Sequence, residues 1–99
     1  MAPRKIVWTQ KAQFERKEIL EYWIIRNKSA TYSIKLNKKI IETLRMLSFN
    51  PFLGRKSEIE SIRIKLVKDY FLIYQITSEE IVVLSLWDSR RNPEMLKIF

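Results

Sequence analysis

The sequence predicts an α+β fold in which an αα-hairpin packs on a small antiparallel sheet, in the order β-α-α-β-β-β. Three observations predict it. Apolar residues recur at helical spacing between residues 10 and 48, then at a spacing of two between residues 62 and 87. Only Asn27-Lys28 interrupts the helical pattern, so the two helices are joined by a short turn. The strand-like runs are separated by Lys68-Asp69 and by Thr77-Ser78-Glu79-Glu80, which makes three of them a meander. Helices gathered on one face of such a sheet make an α+β domain.

Ile6-Val7-Trp8 reads as a short first strand. Thr9 follows as a helix N-cap, because its hydroxyl can accept a first-turn backbone N–H. Residues 10–26 contain no Gly or Pro, and Ala12, Ile19, Leu20, Trp23 and Ile24 recur at roughly helical spacing. Ser29 caps a second helix over 29–48, with Leu36, Ile40, Leu44 and Leu47 on one stripe and Lys35, Lys38, Lys39, Glu42 and Arg45 facing away. Asn50-Pro51 stops that helix, since a residue before proline is pushed out of the α region. Residues 51–60 read as an irregular loop.

Beyond the loop, Ile62, Ile64 and Leu66 alternate with Arg63, Lys65 and Val67. Placing the three aliphatic residues against the helices turns Arg63 and Lys65 outward. The next strand then puts Phe71, Ile73 and Gln75 on that outer side, and Tyr70 and Tyr74 inside. Residues 81–87 form the last strand, and Pro93 ends it, with Arg90 and Arg91 at its mouth. Arg63, Lys65 and Arg90, with Arg55 and Lys56 from the loop, are expected to converge on one concave basic surface. Such a surface suits a phosphodiester: guanidinium matches phosphate bidentately, and exposed Phe71 offers a ring on which a base can stack.

Composition removes much other chemistry. The 99 residues fit a single domain, 1–99. With no Cys and no His, disulfides, the usual zinc sites, Ser-His-Asp chemistry and Cys nucleophiles are excluded. The single glycine, Gly54, cannot build a phosphate-cradling loop, and neither a cofactor nor a metal is expected. Nineteen Lys and Arg against eleven Asp and Glu give a charge of +8, unevenly spread: eleven to four over residues 1–50, eight to seven over 51–99. A small basic domain is drawn to polyanions or acidic proteins. The longest largely apolar run, Ile81–Trp87, is far short of the ~20 residues of a membrane span. The basic start leads into no apolar signal segment, so a cytoplasmic location is expected.

Three further groups have ordinary structural readings. Glu15, Glu18 and Glu21 are read as a solvated helix face among Lys11, Arg16 and Lys17. Trp8, Trp23 and Trp87 are read as core. Asp88 is read as a salt-bridge partner of the nearby arginines rather than a general base.

The order and spacing of several stretches resemble the RelE/ParE superfamily of toxin-antitoxin toxins along nearly the whole chain. They are Trp8 with Ala12, Ser29 with Tyr32 and Leu36, Pro51 with Gly54, Ile62-Arg63-Ile64-Lys65-Leu66, Tyr70-Phe71-Leu72-Ile73-Tyr74-Gln75 and Trp87-Asp88-Ser89-Arg90-Arg91-Asn92-Pro93. The resemblance implies a cognate antitoxin and one of two targets. RelE-like members cut messenger RNA on the ribosome, and ParE-like members poison DNA gyrase without being nucleases. In the first case Arg63, Lys65 and Arg90 match catalytic positions, with Arg55, Lys56, Phe71 and Arg91 as RNA contacts. Ribonuclease members usually carry an arginine at the position of Phe71 and a Tyr or His near Leu96. A third possibility is a degenerate toxin that only binds its antitoxin. The first reading is ribosome-dependent RNA cleavage, and the gyrase reading is its alternative.

Overall fold

A computed structural model of the chain describes residues 2–91. The first strand, β1 (Lys5–Trp8), leads into α1 (Gln10–Asn27). Thr9 caps α1: its Oγ1 accepts the Ala12 N–H at 3.1 Å and donates to the Val83 carbonyl at 2.9 Å. One side chain thus starts the helix and fastens it to the sheet. Lys28, in the left-handed region at φ 51°, closes the helix by donating its N–H to Ile24 O. The second helix, α2 (Thr31–Phe49), begins two residues later than the sequence pattern indicates. Ser29 still serves its start, because its Oγ accepts the Thr31 N–H at 3.2 Å. The hairpin is tied by Ser33 Oγ donating to Leu20 O and by Arg16 Nε donating to Asn37 Oδ1.

The expected α+β architecture holds, but among the described residues the sheet has five strands and is mixed. After a 3-10 turn at Pro51–Leu53 come β2 (Arg55–Lys56), β3 (Ile62–Val67), β4 (Tyr70–Ile76) and β5 (Glu80–Asp88), in the spatial order β1-β5-β4-β3-β2. The segment read as an irregular loop therefore contributes a two-residue edge strand. The first strand lies parallel to the last, Lys5 beside Glu80 through Trp8 beside Val83. Local periodicity carries no information about that pairing, because the partners are distant in sequence and the intervening helices and strands supply the crossover.

Directly opposed residues on neighbouring strands share a face. Arg63 opposes Tyr74, Lys65 opposes Leu72, and Val67 opposes Tyr70. Tyr70, Leu72, Tyr74, Val83 and Leu86 pack with Ala12, Leu36, Ile40, Leu44 and Leu47 in the core beneath the helices. Arg63 and Lys65 therefore lie on the helix-bearing side, and Ile62, Ile64 and Leu66 on the far side, the reverse of the expectation. Alternation separates the two sets but does not say which meets the helices. Here the far side has its own cluster of Ile62, Ile73 and Trp87, with Ile64, Phe71 and Leu84 against it. The expected inward Tyr70 and Tyr74 and outward Phe71, Ile73 and Gln75 agree with this register.

Candidate functional site

The register divides the expected basic surface into three places. Lys56 opposes Arg63, so it shares the helix-bearing side with Arg63 and Lys65. Arg55 opposes Ile64 on the far side and stands over the Phe71 ring at 5.4 Å. Arg90 and Arg91 follow the end of β5. Arg55 and Phe71 thus form one unit, separated by the thickness of the sheet from Arg63 and Lys65.

Arg63 is engaged in local structure. Its Nη1 donates to Gly54 O at 2.8 Å and to Phe52 O at 3.3 Å, and its guanidinium lies over the Phe52 ring at 5.1 Å. Tyr74 completes this clasp from below: its buried Oη donates to Pro51 O at 2.6 Å and accepts the Gly54 N–H at 3.0 Å. Burial pushes the Tyr74 phenol above its ordinary pKa, against the opposing pull of the Gly54 bond. A Cβ on Gly54 would meet Tyr74 Oη at 2.5 Å, so glycine is required by this close approach. Lys65 is half-buried and takes part in none of the ion pairs among the described residues.

Arg90 is engaged as well. Its Nε and Nη2 donate to the two Asp88 carboxylate oxygens at 3.0 and 2.9 Å, and its backbone N–H donates to Oδ1 at 2.9 Å. These bonds hold the Asp88 carboxyl below its ordinary value and push Arg90 above its own. Asp88 is therefore the salt-bridge partner the sequence indicates. Arg91 lies 5.6 Å over the Trp87 ring, whose buried Nε1 has no hydrogen-bond partner among the described residues. Trp87 and partly buried Trp8 and Trp23 all join the packed interior, as expected. Trp23 Nε1 donates to Tyr70 Oη at 2.8 Å, and burial raises the Tyr70 pKa despite that bond.

A cleft of about 400 Å³ opens here between α1 and the end of β5, lined by Glu15, Glu18, Tyr22, Tyr70, Asp88 and Arg90 among others. Its lining mixes acids with arginines, so it is not a purely basic phosphate site. Glu15 departs from its reading as a solvated residue. The β4–β5 register slips between Ile73 and Tyr74, leaving a bulge in β5 near Leu84 and Ser85. Glu15 Oε1 accepts from Ser85 Oγ at 3.0 Å and from Leu86 N at 3.3 Å, while Lys11 Nζ bridges Glu15 Oε2 and Ser85 Oγ. Its sequence neighbours give no sign of this, because the bulge is formed 70 residues away. Glu18 and Glu21 are exposed, as read. Pro93 and Leu96 lie outside the described residues.

Residues 6–93 match the family model described as the ParE toxin of the type II toxin-antitoxin system, parDE. The chain belongs to this toxin family. Two solved structures share the ParE-like fold. The chromosomal ParDE toxin-antitoxin system from P. aeruginosa is 20% identical, with 86% of this chain and 95% of that chain covered, at a TM-score of 0.72. The YoeB dimer from Staphylococcus aureus is also 20% identical, with 87% and 97% covered, at a TM-score of 0.61. No curated protein matches this ParE-family chain by sequence. The family implies an antitoxin partner. Among the described residues, no helix is long and apolar enough to cross a membrane.

Proposed function

We propose that this toxin disables a protein target in the cytoplasm, DNA gyrase in the reading its family resemblance implies, and does not cut RNA. The observation that carries the proposal is the commitment of the cations a nuclease would need. Arg63 clasps two loop carbonyls, Arg90 is forked onto Asp88, and only Lys65 of the three is unpaired among the described residues. The ring of Phe71 replaces the phosphate-binding arginine usual in ribonuclease members, and it stacks under Arg55 on the other side of the sheet. Cleavage without histidine needs cations gathered on the scissile phosphate and a group that moves a proton. Loss of either costs about 10²–10³-fold or more in rate. Arg55, Lys56 and Arg91 then act as surface charge for protein binding rather than as RNA contacts.

The test is expression without antitoxin, with messenger RNA 5′ ends mapped and the DNA-damage response followed in the same cells. Growth arrest with a damage response and no new ends is the expected result, and Lys65→Ala should remain toxic. New ends confined to translated frames, abolished by Lys65→Ala and Arg90→Ala, would overturn the proposal in favour of ribosome-dependent cleavage. Absence of any arrest would overturn it in favour of a module that only binds antitoxin.

A further inference from the structure

The connection between α1 and α2 forms an exposed tip whose apolar side chains the fold does not use. Every residue from Ile24 to Thr31 is exposed. Ile24 and Ile25 lie in the last turn of α1, and Ile34 lies in the first turn of α2. Ile25 is 76% exposed and Ile34 66%. A scattered exposed apolar residue needs no explanation, whereas a group gathered at one end of a hairpin does. Tyr22, Trp23 and Tyr32 stand behind it, with ring centroids 5.1 Å apart for Tyr22 and Trp23 and 4.8 Å apart for Trp23 and Tyr32.

Two features distinguish this tip from an accidental patch. The first is charge. From Tyr22 to Ile41 the chain carries Arg26, Lys28, Lys35, Lys38 and Lys39 and no acid, against a net +8 for the whole chain. All five cations are exposed, and none belongs to an ion pair among the described residues. The second is rigidity. Ile24 O accepts the N–H groups of Lys28 and Ser29, and Ser29 Oγ accepts that of Thr31. Trp23 Nε1 donates to Tyr70 Oη, which pins the aromatic group to the sheet. The tip is thus displayed on a fixed backbone, which lowers the ordering cost of binding. Aliphatic side chains at the end, amphipathic rings behind them and long cationic side chains around both are what a bilayer interface accommodates. A nucleic acid would use the cations and the rings, but it has no use for the isoleucines. A convex tip gives a protein partner little concavity in which to seat an anchoring side chain, whereas a fluid bilayer needs none.

We propose that the tip of the α1–α2 hairpin docks reversibly on an anionic membrane surface. Ile25 and Ile34 enter the boundary between headgroups and acyl chains, and Arg26, Lys28 and Lys35 meet the lipid phosphates. The hairpin lies on the bilayer rather than across it, so it needs no long apolar helix. A single apolar anchor gives only marginal binding, so the isoleucines and the cations are both required. Each cation at the surface is expected to contribute about fivefold in partitioning. The inference is independent of the toxin's target.

The test is sedimentation of the purified full chain with vesicles of phosphatidylglycerol and phosphatidylcholine in equal parts, and with vesicles of phosphatidylcholine alone. The expected result is binding to the anionic vesicles that salt weakens, and little binding to the neutral ones. Ile25→Ser/Ile34→Ser and Lys28→Gln/Lys35→Gln should each lower that binding about tenfold or more. The control Lys5→Gln/Lys68→Gln has the same net charge as the second variant and should change binding much less. All six positions are exposed, so circular dichroism should match the wild type. The glutamine variant keeps the test open if the serine variant fails to fold. Absence of wild-type binding to anionic vesicles, or equal binding to neutral ones, would overturn the inference. Full binding by the serine variant would overturn it as well. An equal loss in the control would assign the attraction to overall charge, against the inference. Variants that keep vesicle binding but lose a single-stranded oligonucleotide would assign the tip to nucleic acid instead. The measurement needs no growth arrest, so failure of the proposed function is distinguishable from failure of this inference.

Discussion

The two faces of the β3–β4 hairpin are built from the same kinds of residue and do different work. On the helix-bearing face, Tyr70, Leu72 and Tyr74 meet the apolar stripe of α2, and the tyrosines end in hydrogen bonds to Trp23 and to the turn after α2. On the far face, Ile62, Ile73 and Trp87 form a smaller cluster, with Phe71 under Arg55 at its margin. One face thus couples the sheet to polar anchoring points, and the other relies on apolar contact and ring–cation stacking. An aliphatic stripe on a strand therefore does not identify the face that receives the helices when both faces are buried.

The largest effect should come from adjacent residues on β4 that point to opposite faces. Leu72→Ala and Ile73→Ala each remove a fully buried side chain, and each is expected to cost about 2–5 kcal/mol in denaturant unfolding. A loss below about 1 kcal/mol at Ile73 alone would break the claim that the far face is a second core. A smaller effect is expected at the clasp. Tyr74→Phe keeps the ring but leaves Gly54 N and Pro51 O without their partner, at about 1–3 kcal/mol. Hydrogen exchange of residues 51–55 should rise in that variant. Unchanged exchange there would mean that Arg63 alone holds the turn.

The smallest effect concerns pH. The Asp88 carboxyl lies below its ordinary value because Arg90 donates to it. Its stabilising contribution is therefore fully present above the unfolded value of ~3.9 and is lost as pH falls through the lower native value. Melting temperatures of the wild type and Asp88→Asn should converge on acidification below about pH 4. A constant difference down to strongly acid pH would show that the pair contributes no pH-dependent stability.

The helices and the meander were legible because their signals are local. Thr9, the Leu36-Ile40-Leu44-Leu47 stripe and the Lys68-Asp69 turn act within a few residues of themselves. The parallel pairing of β1 with β5, the side of the sheet that Arg63 occupies and the capture of the β5 bulge by Glu15 depend on contacts across most of the chain. The candidate site was legible as residue types and much less as an arrangement. Sequence spacing collected Arg55, Phe71, Arg63 and Arg90 into one surface, and the pleat and the sheet register distribute them over two faces and a strand end. The salt bridge of Asp88 was readable because its partner is two residues away. The Tyr74 clasp was not, because it needs the turn after α2 brought over β4.

The position of β5 has a consequence for synthesis of the toxin. It is the last strand in the described chain, yet it lies between β1 and β4, and it supplies the carbonyl that fastens the start of α1. A nascent chain lacking Glu80–Asp88 has the apolar underside of its helices but not the strand that joins β1 to the rest of the sheet. The native sheet therefore cannot close until translation has passed Asp88, and domains of this kind reach their native contacts late on the ribosome. Nascent chains cut short before that point should lack the active fold, so the cell meets the toxin only after nearly the entire described segment has been made.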